Sequence, residues 1–302
     1  MDKTVLILGG NGRFGRHATA AFTRAGWDVR QYDRKGESLW DAAWGASVIV
    51  NAWNMPPAQW RTQAVAAHEK VIEVAKASGA TVLVPGNVYN FGSDMPPLLT
   101  AETPKRPDRS YGRIREEIEG AYRKAGVRTI ILRAGDFLDT EASGNWFDKV
   151  MITTLTKGVL TYPGRHTDVP HAWAFLPDMA RAAVALAEKR TELPVFADIP
   201  YAGLTLTAQD MAAALAKASA KPVKVRHMAW LPIVLLSPFW GMARYLTAMR
   251  YLWDRPHSLD AEPLRQLLPD HRDTSAEAAL AAAIQHQIHP DGVMAGEQDV
   301  TA

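Results

Sequence analysis

The chain has 302 residues, enough for one large domain or a core domain with a smaller lobe, and a formal net charge of +2 from 34 basic and 32 acidic residues. Those charges are interspersed, so no basic stripe marks a nucleic-acid partner. It contains 0 cysteines, which excludes disulfides, thiolate zinc sites and a cysteine nucleophile.

The first segment, TVLILGG, is a short apolar run ending in glycines. It reads as a buried strand rather than a signal peptide, which implies a cytoplasmic protein. In chain order there follow RFGRHATAAFTRAG (helix), WDVRQYD and SVIVNAW (strands), WRTQAVAAHEKVIEVAKASG (helix), TVLVPG (strand), YGRIREEIEGAYRKAG (helix) and RTIILRAG (strand). Continuous apolar strands alternating with helix-period segments predict a Rossmann-type, doubly wound parallel sheet of the α/β class, buried on both faces.

Past about residue 140 the rhythm loosens into short strands, GVLTYPG and ELPVFADI, between helices and proline-containing turns. The helix DMARAAVALAEKR has the acidic start and basic end that the macrodipole favours, and TSAEAALAAAIQHQI opens with Thr274 and Glu277 at capping-box spacing. The expected organisation is a Rossmann domain over residues 1–140, to which later segments can add strands. A smaller α+β substrate lobe follows over 141–290, then a flexible tail over 291–302. The apolar run AWLPIVLLSPFWGMA, residues 229–243, is too short to span a bilayer and contains two prolines and a glycine. It reads as a buried or lobe-forming segment, with a membrane-surface or oligomer contact as the alternative its aromatics allow.

Gly9, Gly12 and Gly15 recur at three-residue spacing between the first strand and the first helix. Glycines there permit a tight turn and close approach of a pyrophosphate, and the helix start offers free N–H groups. Asp33 lies roughly twenty residues on, where a carboxylate accepts from ribose hydroxyls and favours NAD. Arg34 could instead hold a 2′-phosphate, which keeps NADP as the alternative, and Arg13 could contact phosphate or stand in solvent.

These segments, with VLVPGNVYNFG and ETPKRPDRSYGRIREEIE, resemble the extended or atypical short-chain dehydrogenase/reductase superfamily of NAD-dependent epimerase/dehydratase-like proteins, over most of the chain. The resemblance implies cofactor contacts from Gly9, Asn11, Gly12, Arg13, Phe14, Gly15, Asp33, Arg34, Ala52, Trp53 and Pro85. It also implies catalysis by a Tyr-x-x-x-Lys pair with a serine or threonine. Tyr111 matches the tyrosine, but Arg115 stands at the lysine position. Arginine supplies the positive charge that favours a phenolate yet cannot relay a proton. Where the hydroxyl is expected the chain offers Pro85, Gly86 and Asn87; the Asn87 amide could hold a substrate oxygen or serve the turn. The bland alternative for the helix is a solvated Tyr111 with Arg115 paired to Glu119.

Substrate contacts are expected from Tyr89, Arg165, His171 and Trp173, with Arg165 suited to an anionic group. His166, Asp168 and His171 lack a helix to fix them on one face, so no metal site is expected. Asp136 could act as a base or form an ion pair. No Gly-x-Ser-x-Gly, Walker or HExxH motif occurs. The reading is an NAD(P)-dependent oxidoreductase or epimerase acting by hydride transfer at a hydroxyl-bearing carbon of a small molecule. The alternative is a non-catalytic NAD(P)-binding sensor or protein-interaction module. The resemblance also implies a possible homodimer.

Overall fold

The computed structural model describes residues 3–288, so the expected tail, 291–302, lies outside the described residues. The first half runs β1 (Thr4–Leu8), α1 (Arg13–Arg24), β2 (Asp28–Gln31), α2 (Leu39–Ala43), β3 (Val48–Asn51), α3 (Pro57–Gln59), α4 (Val65–Ser78), β4 (Thr81–Gly86), β5 (Leu98–Leu99), α5 (Ser110–Ala125) and β6 (Thr129–Arg133). The second half begins β7 (Asp136–Leu138), β8 (Val159–Tyr162), β9 (His171–Phe175), α6 (Leu176–Glu188), β10 (Phe196–Pro200), β11 (Leu204–Leu206) and α7 (Ala208–Ser219). It ends with β12 (Lys224–His227), α8 (Trp230–Leu236), α9 (Gly241–Met249), β13 (Ser258–Leu259), α10 (Glu262–Leu267) and α11 (Ala276–Ile288).

Six strands form one sheet in the order β10-β6-β4-β3-β1-β2, all parallel. The side-chain period of a strand explains why its runs are continuously apolar: alternate residues feed opposite faces. Val5, Ile7, Val48 and Val50 pack under α1 and α6, while Leu6, Leu8, Ile49 and Val82 pack under α4 and α5. The chain turns to β2 on one side of β1 and to β3 on the other. That reversal opens a crevice beyond the carboxyl ends of the strands, where ligands of open α/β sheets bind. The sixth strand, β10, and its helix α6 come from residues 176–200, so the sheet and the lobe interleave along the chain.

The lobe has its own core, in which Phe147, Trp173 and Trp253 meet residues of α7 and α11. Two readings of this half are corrected. Thr274 and Glu277 form no capping box. Asp178, buried at the start of α6, takes the Thr274 N–H and hydroxyl at 2.5 and 3.0 Å, and the Ser275 hydroxyl accepts from Ala278 N–H instead. Glu277 is engaged by Lys217.

The apolar run 229–243 is not buried. It forms α8 and the start of α9 and stands out from the lobe, with Leu235 65% and Phe239 90% exposed. Its root is held: Trp230 is buried and donates its indole N–H to Pro163 O at 2.7 Å, Ile233 packs against the lobe core, and Ala243 is buried. Among the described residues no helix is long and apolar enough to cross a membrane.

Candidate active site

The glycine turn is fixed by backbone geometry. Gly9 has φ +77°, a left-handed conformation, and accepts Gly12 N–H at 2.8 Å. Gly12 caps α1 without a side-chain oxygen, so the first N–H groups of this twelve-residue helix lack a side-chain cap and carry the positive end of its dipole. A cleft of about 880 Å³ begins here and runs along the carboxyl ends of the strands.

The cofactor end of the cleft contains Gly9, Asn11, Gly12, Phe14, Asp33, Arg34, Ala52, Trp53 and Pro85. Gly15 lies beneath the turn, against Gly9. Asp33 is exposed, its Oδ1 accepting Lys35 N–H at 2.9 Å, and Arg34 lies 5.8 Å over the Trp53 ring. Arg13 also lines the cleft, half-buried, with two of its guanidinium nitrogens engaged by backbone carbonyls. It donates to Ser143 O at 3.0 Å and Gly144 O at 2.5 Å, clasping the glycine turn to the 139–145 segment. Asp139 strengthens the clasp by engaging Arg16 and His17.

The other end is built around phenols. Tyr89, on the turn after β4, and Tyr245, on α9, both line the cleft, with hydroxyls 2.8 Å apart. Burial holds the Tyr89 phenol well above the usual tyrosine range, and the hydrogen bond to Tyr245 adds to that rise. Burial also raises Tyr245, to about 12, but the same hydrogen bond pulls it down. The two phenols share this one hydrogen bond, so one hydroxyl keeps a proton that can be offered to a ligand. Arg115 lines the cleft beside them, stacked 4.7 Å over Trp60. Its Nε is buried without a partner, and none of the ion pairs among the described residues includes it.

Arg115 does not pair with Glu119, despite the helical spacing, because Glu119 faces Arg133. The Arg133 guanidinium binds Glu119 at 2.7 Å and Asp198 at 2.8 Å, then reaches Asn87 O at 2.6 Å and Asn90 Oδ1 at 3.1 Å. Buried, it ties helix α5, strand β10 and the Asn87–Tyr89 turn into one unit. Arg133→Met leaves the buried Glu119 carboxylate without its cation, while Asp198 keeps Lys105 at 3.2 Å, and is expected to destabilise the fold by about 3–5 kcal/mol. Urea unfolding checks this, and a loss under about 1 kcal/mol would contradict it.

The remaining expected residues divide. Asn87 lines the cleft, with its side-chain oxygen occupied by Tyr89 N–H at 3.1 Å, so the amide nitrogen is the group left for a ligand. Tyr111 is not in the cleft. It packs edge-on against Tyr245 at 4.9 Å and Trp60 at 5.7 Å, and burial raises its pKa, with Arg244 and Arg61 opposing. Arg115 shares its helix face and meets the same Trp60 ring.

His171 is buried one layer below the cleft, bonded to Asp136 at 2.8 Å and stacked on Trp253; Asp136 itself lines the cleft. Trp173 is core, 1% exposed. Arg165 pairs with Asp254 at 3.1 Å and, with His166, lines a separate pocket that also includes Arg109 and Arg255. His166 and His171 are therefore not brought together, and among the described residues no group of three His, Asp or Glu could hold a metal ion. Tyr245 and Arg133 had no sequence signal: one is a lone tyrosine in a lobe helix, the other the last residue of an apolar strand.

No protein-family model matches the chain, and no curated protein matches it in sequence. It is similar in structure to UDP-glucuronic acid 4-epimerase from Bacillus cereus, in complex with UDP-glucuronic acid and NAD. That likeness has a TM-score of 0.73 at 13% identity, covering 95% of this chain and 99% of that one. A dTDP-4-dehydrorhamnose reductase from Clostridium acetobutylicum gives a TM-score of 0.69 at 16% identity, covering 93% and 98%. MoeE5, in complex with UDP-glucose and NAD, gives 0.71 at 15% identity, covering 93% and 97%. The fold is therefore the one these epimerase, reductase and MoeE5 structures share.

Proposed function

From this shared fold, we propose that the chain is an NAD-dependent oxidoreductase of the epimerase-like type, acting at a hydroxyl- or carbonyl-bearing carbon of a small molecule. The observation that carries the proposal is the continuity of the cleft: one cavity joins the glycine turn and Asp33 to Asn87, Tyr89, Arg115, Asp136 and Tyr245. The N–H groups of α1 would take the pyrophosphate, and Asp33 the adenosine ribose. A carboxylate at that place disfavours a 2′-phosphate, so NAD is preferred over NADP. When bound, the nicotinamide supplies or accepts the hydride.

Tyr245 is the proposed acid, protonated at neutral pH and therefore able to donate to the oxygen that gains charge as a carbonyl is reduced. Tyr89 positions it through the hydrogen bond between the two hydroxyls. Arg115 contributes a fixed positive charge beside both phenols, and the Asn87 amide nitrogen offers a second donor to the same oxygen. In the opposite direction Tyr245 would take the substrate's hydroxyl proton as it gives up its own, and Asp136, held by His171 and lining the same cleft, is the proposed final acceptor of that proton. Tyr111, the tyrosine of the resemblance, acts in this scheme by packing against Tyr245.

The test is a screen of ketones and secondary alcohols with the full chain and NAD(H), read by the absorbance of the reduced nicotinamide. Turnover of any member supports the reading. Saturable cofactor binding without turnover across the panel would leave a non-catalytic sensor in its place.

A further inference from the structure

Among the described residues, seven of the eleven exposed large hydrophobic side chains lie on the hairpin formed by α8 and α9. Leu231, Leu235, Phe239 and Trp240 are 69%, 65%, 90% and 49% exposed. Scattered surface hydrophobes need no explanation, but these share one short hairpin, and a patch of that kind marks an interaction site. It is also preformed. Trp230 pins its root, and Arg244 donates to Pro238 O at 3.0 Å, closing the turn between the two helices. Little ordering remains to be done on docking.

Charge selects the occupant. Residues 211–253 contain no Asp or Glu, and their charged residues are Lys217, Lys221, Lys224, Arg226, Arg244 and Arg250. Lys217 is engaged by Glu277 and Arg250 lies 4.8 Å over Trp230, which leaves Arg244 as the exposed cation at the apolar tip and Lys221, Lys224 and Arg226 as exposed cations on the stretch that leads into α8. Next to α9, α3 leads into Trp60 and Arg61, and residues 53–68 are likewise free of acids. A second copy docking through the same face would bring these like charges together, whereas an anionic surface would neutralise them.

We infer that the α8–α9 hairpin seats in the interface of an anionic lipid membrane, its apolar tip among the acyl chains and its cations among the headgroups. Helices of 7 and 9 residues are too short to cross a bilayer, so the seat is interfacial. The hairpin is continuous with the cleft, because Tyr245 projects from the same α9 into it. Docking therefore brings the cleft's rim to the lipid surface.

The test is sedimentation of the full chain with vesicles of phosphatidylcholine alone and of phosphatidylcholine with phosphatidylglycerol, alongside Leu235→Glu and Phe239→Glu. Both positions are exposed and outside the cleft, and far-UV circular dichroism checks that the variants fold. The expected result is association with the anionic vesicles, roughly tenfold weaker on neutral ones and weakened by salt. Either substitution should abolish it. The inference is overturned if the chain ignores both vesicles, or if the glutamate variants bind as well as the parent. It is equally overturned if Phe239→Glu instead dissociates a dimer that has no vesicle affinity, since the face would then be a contact between copies.

Discussion

Tyr245→Phe is expected to lower turnover by roughly 10²–10⁴-fold while leaving NAD(H) affinity within about twofold. The substitution removes one oxygen and keeps the ring that packs against Tyr111, so the fold has little reason to respond. What disappears is the phenolic proton and the hydroxyl that pairs with Tyr89. Burial raises the Tyr245 phenol to about 12, so it stays protonated from neutral pH to well into the alkaline range. Reduction by the parent enzyme should therefore show no loss of rate from this group until pH approaches about 12. A depressed phenol would instead lose its proton near neutrality. Tyr111→Phe provides the contrast. If it abolishes turnover and Tyr245→Phe does not, the proton comes from the tyrosine of the family pattern and the assignment to Tyr245 fails.

Gly15→Ala is expected to weaken NAD binding by roughly 100-fold, equivalent to about 3 kcal/mol. A Cβ at residue 15 would lie 2.0 Å from Gly9 O and 2.8 Å from Gly9 C. Both are backbone atoms of the turn and cannot swing aside as the end of a flexible side chain would. Helix α1 must back away from the turn, and with it the N–H groups that the pyrophosphate needs. Gly120→Ala is the control: it also lies in a helix, and its Cβ meets nothing within 4 Å. It should leave affinity unchanged and stabilise the chain by about 0.5–1 kcal/mol. Isothermal titration with NAD compares the two, and equal affinities would contradict the account of the turn.

Strands β1, β3, β4 and β6 were legible because burial on both faces leaves an unbroken apolar run, and the glycine turn because its spacing is dictated by backbone contact. The place of β10 was not, since ELPVFADI carries no mark of which neighbour it joins. Helical spacing predicted Arg115 with Glu119, but Arg133 lies across the helix–sheet boundary and competes with better geometry; no local pattern encodes a partner 14 residues away. Tyr245 reaches the cleft from 236 residues beyond Gly9, through the packing of a lobe helix. Hydrophobicity also does not say whether a chain buries its own apolar segment, which is why residues 229–243 read as buried or lobe-forming and stand largely exposed.

The most direct test of the central claim is a titration of the full chain with NAD and with NADP, read by tryptophan fluorescence; Trp53 and Trp60 both line the cleft. A saturable change with NAD at lower concentration than with NADP is the predicted result, with Asp33 as the ribose contact. A folded chain whose fluorescence responds to neither would mean that the glycine turn serves only the fold, and the oxidoreductase reading would fall.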